Sequence, residues 1–200
     1  GKYATAITSV SYPILNDFKS LLSRIEYFEE LRNGFDHDLT FEAAAKNEIF
    51  TVGYFGNFYG QRKPDTFFKA LENIKKSKGV EIKVDIVGAH KTFSIPNSLG
   101  QYVEVFPQMD YLSAVKFMAK LDANVLIHPA GVHKGVYTGK LFDYISVGKP
   151  VIGIIDKEDV AAELIENYKC GYIADFYNIK EIESILLQAY NDWKNGFVKR

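Results

Sequence analysis

The chain has 200 residues, 47% of them hydrophobic and 24% charged, with a net charge of -1. That suits one α/β domain, or one domain plus a piece of another, and a near-neutral balance argues against a nucleic-acid partner. The single Cys170 excludes an internal disulfide and a cysteine zinc cluster; no apolar run reaches membrane-spanning length and no secretory signal pattern opens the sequence.

Ala4 to Val10 is β-prone and predicts a strand. Tyr12 to Leu22 predicts a helix with Ile14, Phe18, Leu21 and Leu22 on one face. Arg24 to Leu31 holds a short extended piece, and Arg32-Asn33-Gly34-Phe35-Asp36 is turn chemistry. Residues 37–47 read as a loop or short helix. From residue 49 onward strand and helix patterns alternate. Ile49 to Phe55 is a buried strand, followed by a glycine-rich loop and a helix with Pro64 in its first turn and Phe67, Phe68, Leu71 and Ile74 on one face. Val80 to Val87 is the next strand and Tyr102 to Phe106 a short one. Asp110 then caps a helix carrying Leu112, Val115, Met118 and Leu121.

Asn124 to Ile127 is another buried strand. The stretch from Val136 to Pro150 reads as a helix start, a short helix and a stop. Val151 to Ile155 is a strand, Asp159 to Tyr168 a helix, and Tyr172-Ile173 a last short strand. Asn178 and Glu181 have capping-box spacing and open a long amphipathic helix through Ile182, Ile185, Leu186, Ala189 and Trp193. Buried strands joined by helices predict a Rossmann-like parallel sheet covered on both faces. In such sheets ligands bind beyond the carboxyl ends of the strands. The loops at 56–63, 88–98, 107–110 and 129–138 should therefore share one edge.

Two loops carry candidate chemistry. In the helix start, Thr138 is expected to cap with its side chain. Gly139 admits close approach of a ligand, and the N–H groups of Gly139, Lys140 and Leu141 are left for an anion. Leu141, Phe142 and Ile145 form the buried stripe, and Asp143 lies five residues after Thr138. Amides suit a diphosphate and the carboxylate suits ribose hydroxyls; an ordinary capped helix is the competing reading. The first loop spaces Gly53, Gly56 and Gly60 as G-x-x-G-x-x-x-G, neither a dinucleotide fingerprint nor a Walker loop. It brings Arg62 and Lys63 to a helix entrance, where a guanidinium either grips a phosphate with two bonds or is simply solvated. The four histidines (His37, His90, His128 and His133) lack metal-site spacing, so no metal is assigned. His128 ends an apolar strand, where it reads first as a satisfied structural histidine and second as a residue facing the site; His133 and Lys134 precede the helix start, where they either meet an anion or are solvated.

Together, Gly53-Tyr-Phe-Gly-Asn-Phe-Tyr-Gly-Gln-Arg-Lys-Pro64 and Thr138-Gly-Lys-Leu-Phe-Asp-Tyr-Ile-Ser-Val-Gly-Lys-Pro-Val151 resemble the carboxyl-terminal domain of GT-B glycosyltransferases of the group 1, family-4 type, over residues 49–195. The resemblance implies a nucleoside diphosphate sugar as donor substrate, transfer with retention and no required cofactor. It places Arg62 and Lys140 on the leaving diphosphate, helped by Gly56, Thr138, Gly139 and Leu141. It puts Asp143 where the family has a ribose-binding Glu, and the base near Phe106-Pro107-Gln108. A first-loop Arg of many members falls on Asn57, and a second Glu falls on Gly135.

The resemblance also implies that residues 1–36 are the tail of an amino-terminal acceptor domain plus linker, and 37–200 the donor domain. The partner would be the rest of that first domain, and the last helix, to Trp193, would pack back across the cleft between the two. The parent enzyme would be cytoplasmic, with room for a peripheral position at a membrane surface, and the piece alone inactive. Two other readings are a non-catalytic α/β nucleotide-binding or regulatory module, such as a receiver, and a fragment of a GT-B sugar epimerase. A receiver would want acidic residues at the strand ends, where the sequence has Gly88, Phe106 and His128.

Overall fold

A computed structural model of the chain describes residues 3–41, 46–90, 93–129, 131, 134–197 and 199. The first elements form a small unit of their own: β1 (Ala6–Ser9), α1 (Tyr12–Leu21) and β2 (Tyr27–Glu30), with β1 and β2 paired in parallel. They do not join the main sheet.

That sheet has six strands: β3 (Thr51–Phe55), β4 (Lys83–Val87), β5 (Val103–Phe106), β6 (Ala123–His128), β7 (Val151–Ile155) and β8 (Gly171–Asp175). All pairings are parallel and the spatial order is β5-β4-β3-β6-β7-β8. Between them run α2 (Asp65–Lys78), α3 (Tyr111–Met118), α4 (Gly139–Ser146) and α5 (Val160–Asn167), and α6 (Ile179–Lys194) follows β8. The strands are buried on both faces, as parallel strands must be when helices cover both sides. Val52, Tyr54, Val84, Ile86, Val125 and Ile152 pack against α2 and α6. Phe55, Val87, Leu126, Val151 and Ile155 pack against α3, α4 and α5. This is the Rossmann-like parallel sheet, with helices on both faces, read from the sequence.

The strand order reverses between β3 and β6, and there the ladder is short. Only Val52↔Ala123 and Gly53↔Asn124 are paired. Beyond them the strands part toward their carboxyl ends. Tyr144 of α4, fully buried, inserts its hydroxyl at the gap and accepts the Phe55 N–H at 3.3 Å. The crevice that α/β sheets use for ligands is thus opened by a broken ladder and closed at its floor by one side chain.

Several local expectations change. β4 starts at Lys83 rather than Val80, because its ladder with β3 begins at Thr51↔Lys83. Leu112 stands on the outer face of α3, 46% exposed, while Leu121 is buried beyond the helix end. On α4 the buried positions are Leu141 and Tyr144; Phe142 and Ile145 are half-buried. Half of the capping box forms: Asn178 accepts the Glu181 N–H, but the Glu181 carboxylate takes the Asp175 N–H, Lys157 and the Asn178 side-chain amide rather than the Asn178 backbone N–H. Trp193 lies near the end of α6. It packs on Phe50 with ring centroids 5.4 Å apart and under Lys46 Nζ at 4.2 Å. Phe50 precedes β3, so the end of α6 covers the amino ends of the strands, opposite the loops that follow them.

Candidate functional site

The loops after β3, β4, β5 and β6 do share one edge. Asn57 Oδ1 accepts the His90 N–H at 2.7 Å, tying the loop after β3 to the loop after β4. Gly88 N–H bonds the Phe106 carbonyl at 3.0 Å, and a Cβ at Gly88 would meet Gln108, so the stretch after β5 lies against the loop after β4. Phe106 itself is half-buried on Phe117. Asn57 therefore serves as a strut between loops.

Lys140, second residue of α4, reaches across the switch point to β3. Its ammonium lies 4.6 Å above the Tyr54 ring and 3.5 Å from the Tyr54 hydroxyl. Gly56 makes that reach possible. Its φ of +96 suits glycine, and a Cβ there would sit 2.9 Å from Lys140 Nζ. Tyr54 is buried, its phenol pushed up to about 12 by burial, and stacks on Phe58 at 4.2 Å. Arg62 lies across the Tyr59 ring and donates to the Tyr59 hydroxyl.

Burial, and after it the positive charge of Arg62, lower the Lys140 pKa to about 8. The same guanidinium adds to burial in lowering the His128 pKa. Residues 62, 128 and 140, from three separate segments, thus feel one another. Among the described residues, neither Arg62 nor Lys140 has a carboxylate within ion-pair distance. Two cations held together without a counter-charge make a place for an anion.

The helix start differs in detail from its sequence reading. Thr138 is the N-cap residue, but its side chain makes no capping bond, and among the described residues its buried hydroxyl has no partner. The Thr138 carbonyl takes the Leu141 N–H at 3.0 Å, so only the Gly139 and Lys140 amides of the three remain ahead of the ladder. Space opens around Gly139. Among the described residues, His128 Nδ1 is a second buried atom on this edge with no partner. Lys134 is spent elsewhere, on Glu158 at 2.8 Å and Asp156 at 3.6 Å; His133 lies outside the described residues.

Asp143 stands on the next turn of α4. Burial raises its pKa, opposed by a hydrogen bond from Tyr111. Tyr111 donates to Asp143 Oδ1 at 2.8 Å and accepts the Asp36 N–H at 3.2 Å. The sequence reading missed Tyr54, Tyr111 and Tyr144. A tyrosine on an apolar face reads as core, and only the fold shows where its hydroxyl ends.

Gly135, where the resemblance places a Glu of many members, has φ +90, and its N–H bonds Asp159 Oδ1 at 2.7 Å. A Cβ there would lie 2.8 Å from Pro13 Cβ and 2.9 Å from Ser11 Oγ. The position is taken up by the start of α1, which leaves no room for a carboxylate side chain. Among the described residues, no group of three or more His, Cys, Asp or Glu could hold a metal ion, and no helix is long and apolar enough to cross a membrane.

Solved structures share this fold at low identity. A mutant of S. aureus TarM in complex with fondaparinux, alpha-GlcNAc-glycerol and UDP matches with TM-score 0.64 and 16% identity, over 95% of this chain and 38% of that one. The lipopolysaccharide outer core galactosyltransferase WaaB in its apo form matches with TM-score 0.67 and 16% identity, over 95% and 54%. The pneumococcal O-GlcNAc transferase GtfA in complex with UDP and GlcNAc matches with TM-score 0.65 and 12% identity, over 98% and 39%. The chain thus spans between 38% and 54% of the length of these three proteins. No curated protein is matched by sequence. The family model of glycosyl transferases group 1 matches residues 37–196, four-fifths of the sequence, and the chain belongs to that family.

Proposed function

We propose that this chain is the donor-binding half of a hexosyltransferase that moves a sugar from a nucleoside diphosphate sugar to an acceptor, with retention. One observation supports this above the others: Arg62 and Lys140, from loops 78 positions apart in sequence, lie near enough for the guanidinium to lower the lysine's pKa, and among the described residues neither has a carboxylate within ion-pair distance. A pyrophosphate is the dianionic group that such a pair, together with the Gly139 and Lys140 amides and the Thr138 hydroxyl, is suited to hold. As the glycosidic bond of the donor breaks, negative charge grows on the departing diphosphate; fixed cations and amides aimed there lower that barrier. In this reading Asp143 accepts from the ribose hydroxyls, Phe106 borders the base, and Gly56 keeps the phosphate path open. Two of the structural neighbours hold UDP, which favours uracil as the first base to try.

The unit β1-α1-β2 is read as the end of the acceptor domain. A parallel two-strand pair does not hold itself, and Tyr3, Tyr27 and Leu31 around it are 89%, 69% and 60% exposed. The rest of that domain would cover them and supply the acceptor pocket, so the 200 residues alone should turn over poorly. Residues 37–200 would then be the donor domain of a cytoplasmic enzyme, with a membrane-surface acceptor compatible with it. Calorimetric titration of UDP, GDP and ADP tests the donor assignment. Binding of one of them, weakened in both Arg62→Ala and Lys140→Ala, is expected; equal affinity in both variants and the parent chain would refute it.

A further inference from the structure

Tyr111 is the first residue of α3, and its hydroxyl has both roles filled. It accepts the Asp36 N–H at 3.2 Å, which leaves its own proton to point at Asp143 Oδ1, 2.8 Å away. The backbone donor thereby fixes the direction of the phenolic proton. The stretch that supplies it is itself anchored. Leu39 N–H donates to His37 Nδ1 at 3.2 Å, so the neutral His37 ring carries its proton on Nε2 and offers it to Ser146 Oγ at 2.8 Å. Ser146 Oγ in turn donates to the Asp143 carbonyl at 2.7 Å. The Phe35 and His37 rings lie 4.9 Å apart and His37 and Tyr111 6.4 Å apart. Side chain and backbone of Asp143 are thus held from one short segment, residues 35–39.

We propose that Tyr111 is the positioning residue of the ribose carboxylate: it locks one oxygen of Asp143, leaves the other presented to the ribose diol, and is itself locked by Asp36. The inference rests on the reading of Asp143 as the ribose acceptor. Its physical basis is reach. An aspartate is one methylene shorter than the glutamate the family places here, and a short carboxylate that must meet a diol gains from having its rotamer fixed before the ligand arrives. A freely turning Asp143 would lose rotamer freedom on binding; a clamped one has lost it already.

The experiment is calorimetric titration of the 200-residue chain with UDP, GDP and ADP and with their 2′,3′-dideoxy counterparts. It is repeated in Tyr111→Phe, Asp143→Asn and the double variant. For the nucleotide that binds tightest, Tyr111→Phe should weaken binding about 3- to 10-fold, the usual worth of one such hydrogen bond. It should leave the dideoxy ligand unchanged, because that ligand no longer reads Asp143. In the Asp143→Asn background, Tyr111→Phe should add nothing. Equal loss for both ligands in Tyr111→Phe, or no loss, overturns the positioning role while leaving Asp143 in place. If the chain does not distinguish ribose from dideoxyribose, or still does so in Asp143→Asn, the ribose reading itself fails and the inference with it.

Discussion

Lys140 Nζ sits 4.6 Å above the ring of Tyr54, a contact that spans the switch point between β6-α4 and β3. An aromatic face holds an ammonium by its quadrupole without neutralising it. The lysine is therefore fixed in place with its charge still unmatched. Burial and Arg62 lower its pKa from 10.5 to about 8. In the unliganded chain the folded state holds this proton less tightly than the unfolded one. Between pH 8 and 10.5 the unfolded chain therefore binds more protons, and stability contributed at this site rises with pH. A bound diphosphate reverses the shift. Nucleotide binding measured near pH 8 should take up roughly half a proton at Lys140 and weaken progressively as the pH is raised further. Calorimetry in buffers of different ionisation enthalpy reads that uptake; proton release instead would place the anion away from Lys140.

Removing the charges separates their roles. Lys140→Ala deletes a charge-assisted bond of about 1.5–3 kcal/mol, which is about 10- to 150-fold in nucleotide affinity. Arg62→Ala should cost a similar factor and, by removing a neighbouring positive charge, should also move the Lys140 pKa up toward its ordinary value. Arg62→Lys should restore that electrostatic coupling but recover affinity only in part, since an ammonium cannot bond two phosphate oxygens as a planar fork. An NMR titration of the Lys140 side chain in each variant checks the coupling without any ligand.

The sheet was legible because parallel strands buried on both faces read as apolar runs, and Thr51–Phe55 and Val151–Ile155 are such runs. The convergence of Arg62 with the α4 start was legible for a topological reason: loops that follow parallel strands must emerge at one edge. The detail was not. Whether Thr138 caps with its hydroxyl depends on where its carbonyl goes, and here the carbonyl takes the Leu141 N–H in a tight first turn. Trp193 was placed by helix length and by Phe50, neither of which periodicity reports. The tyrosine hydroxyls at 54, 111 and 144 act across gaps of 86, 32 and 89 residues. Spacing within one element carries no trace of them.

Gly135 tests whether the missing second carboxylate can be put back. The backbone there is left-handed at φ +90, and the start of α1 stands where a Cβ would go. Gly135→Ala should already destabilise the chain, by about 1–3 kcal/mol for the backbone conformation alone. Gly135→Glu should be at least as unstable and should gain no affinity for a nucleoside diphosphate sugar over the free nucleotide. Urea denaturation of both variants, with parallel titrations, checks this. A stable Gly135→Glu that binds the sugar nucleotide more tightly would show that the Ser11–Pro13 contact yields, and that the sugar pocket lies where the family pattern puts it.

Tyr144 gives the sharpest stability prediction. The β3–β6 ladder ends at Gly53↔Asn124, so the Phe55 N–H has no strand partner on that side, and the Tyr144 hydroxyl accepts it in the core. Burial raises the phenol pKa, so the hydroxyl stays neutral and able to accept throughout the range in which the fold is studied. Tyr144→Phe keeps the ring, its packing on Phe55 at 6.1 Å and its volume, and removes only the acceptor. A buried backbone N–H left without a partner costs about 1–3 kcal/mol. The variant should therefore unfold at lower urea with an unchanged slope, since the folded state stays as compact. Amide exchange should quicken at Phe55 before it does elsewhere in β3, because the lost bond is local. Nucleotide affinity should fall as well, though less than in Lys140→Ala, because α4 would be less firmly seated on β3 beneath the anion. A Tyr144→Phe chain with unaltered stability would mean that β3 and β6 close up when the hydroxyl is removed, and the crevice would then owe its width to the phenol rather than to the strand order.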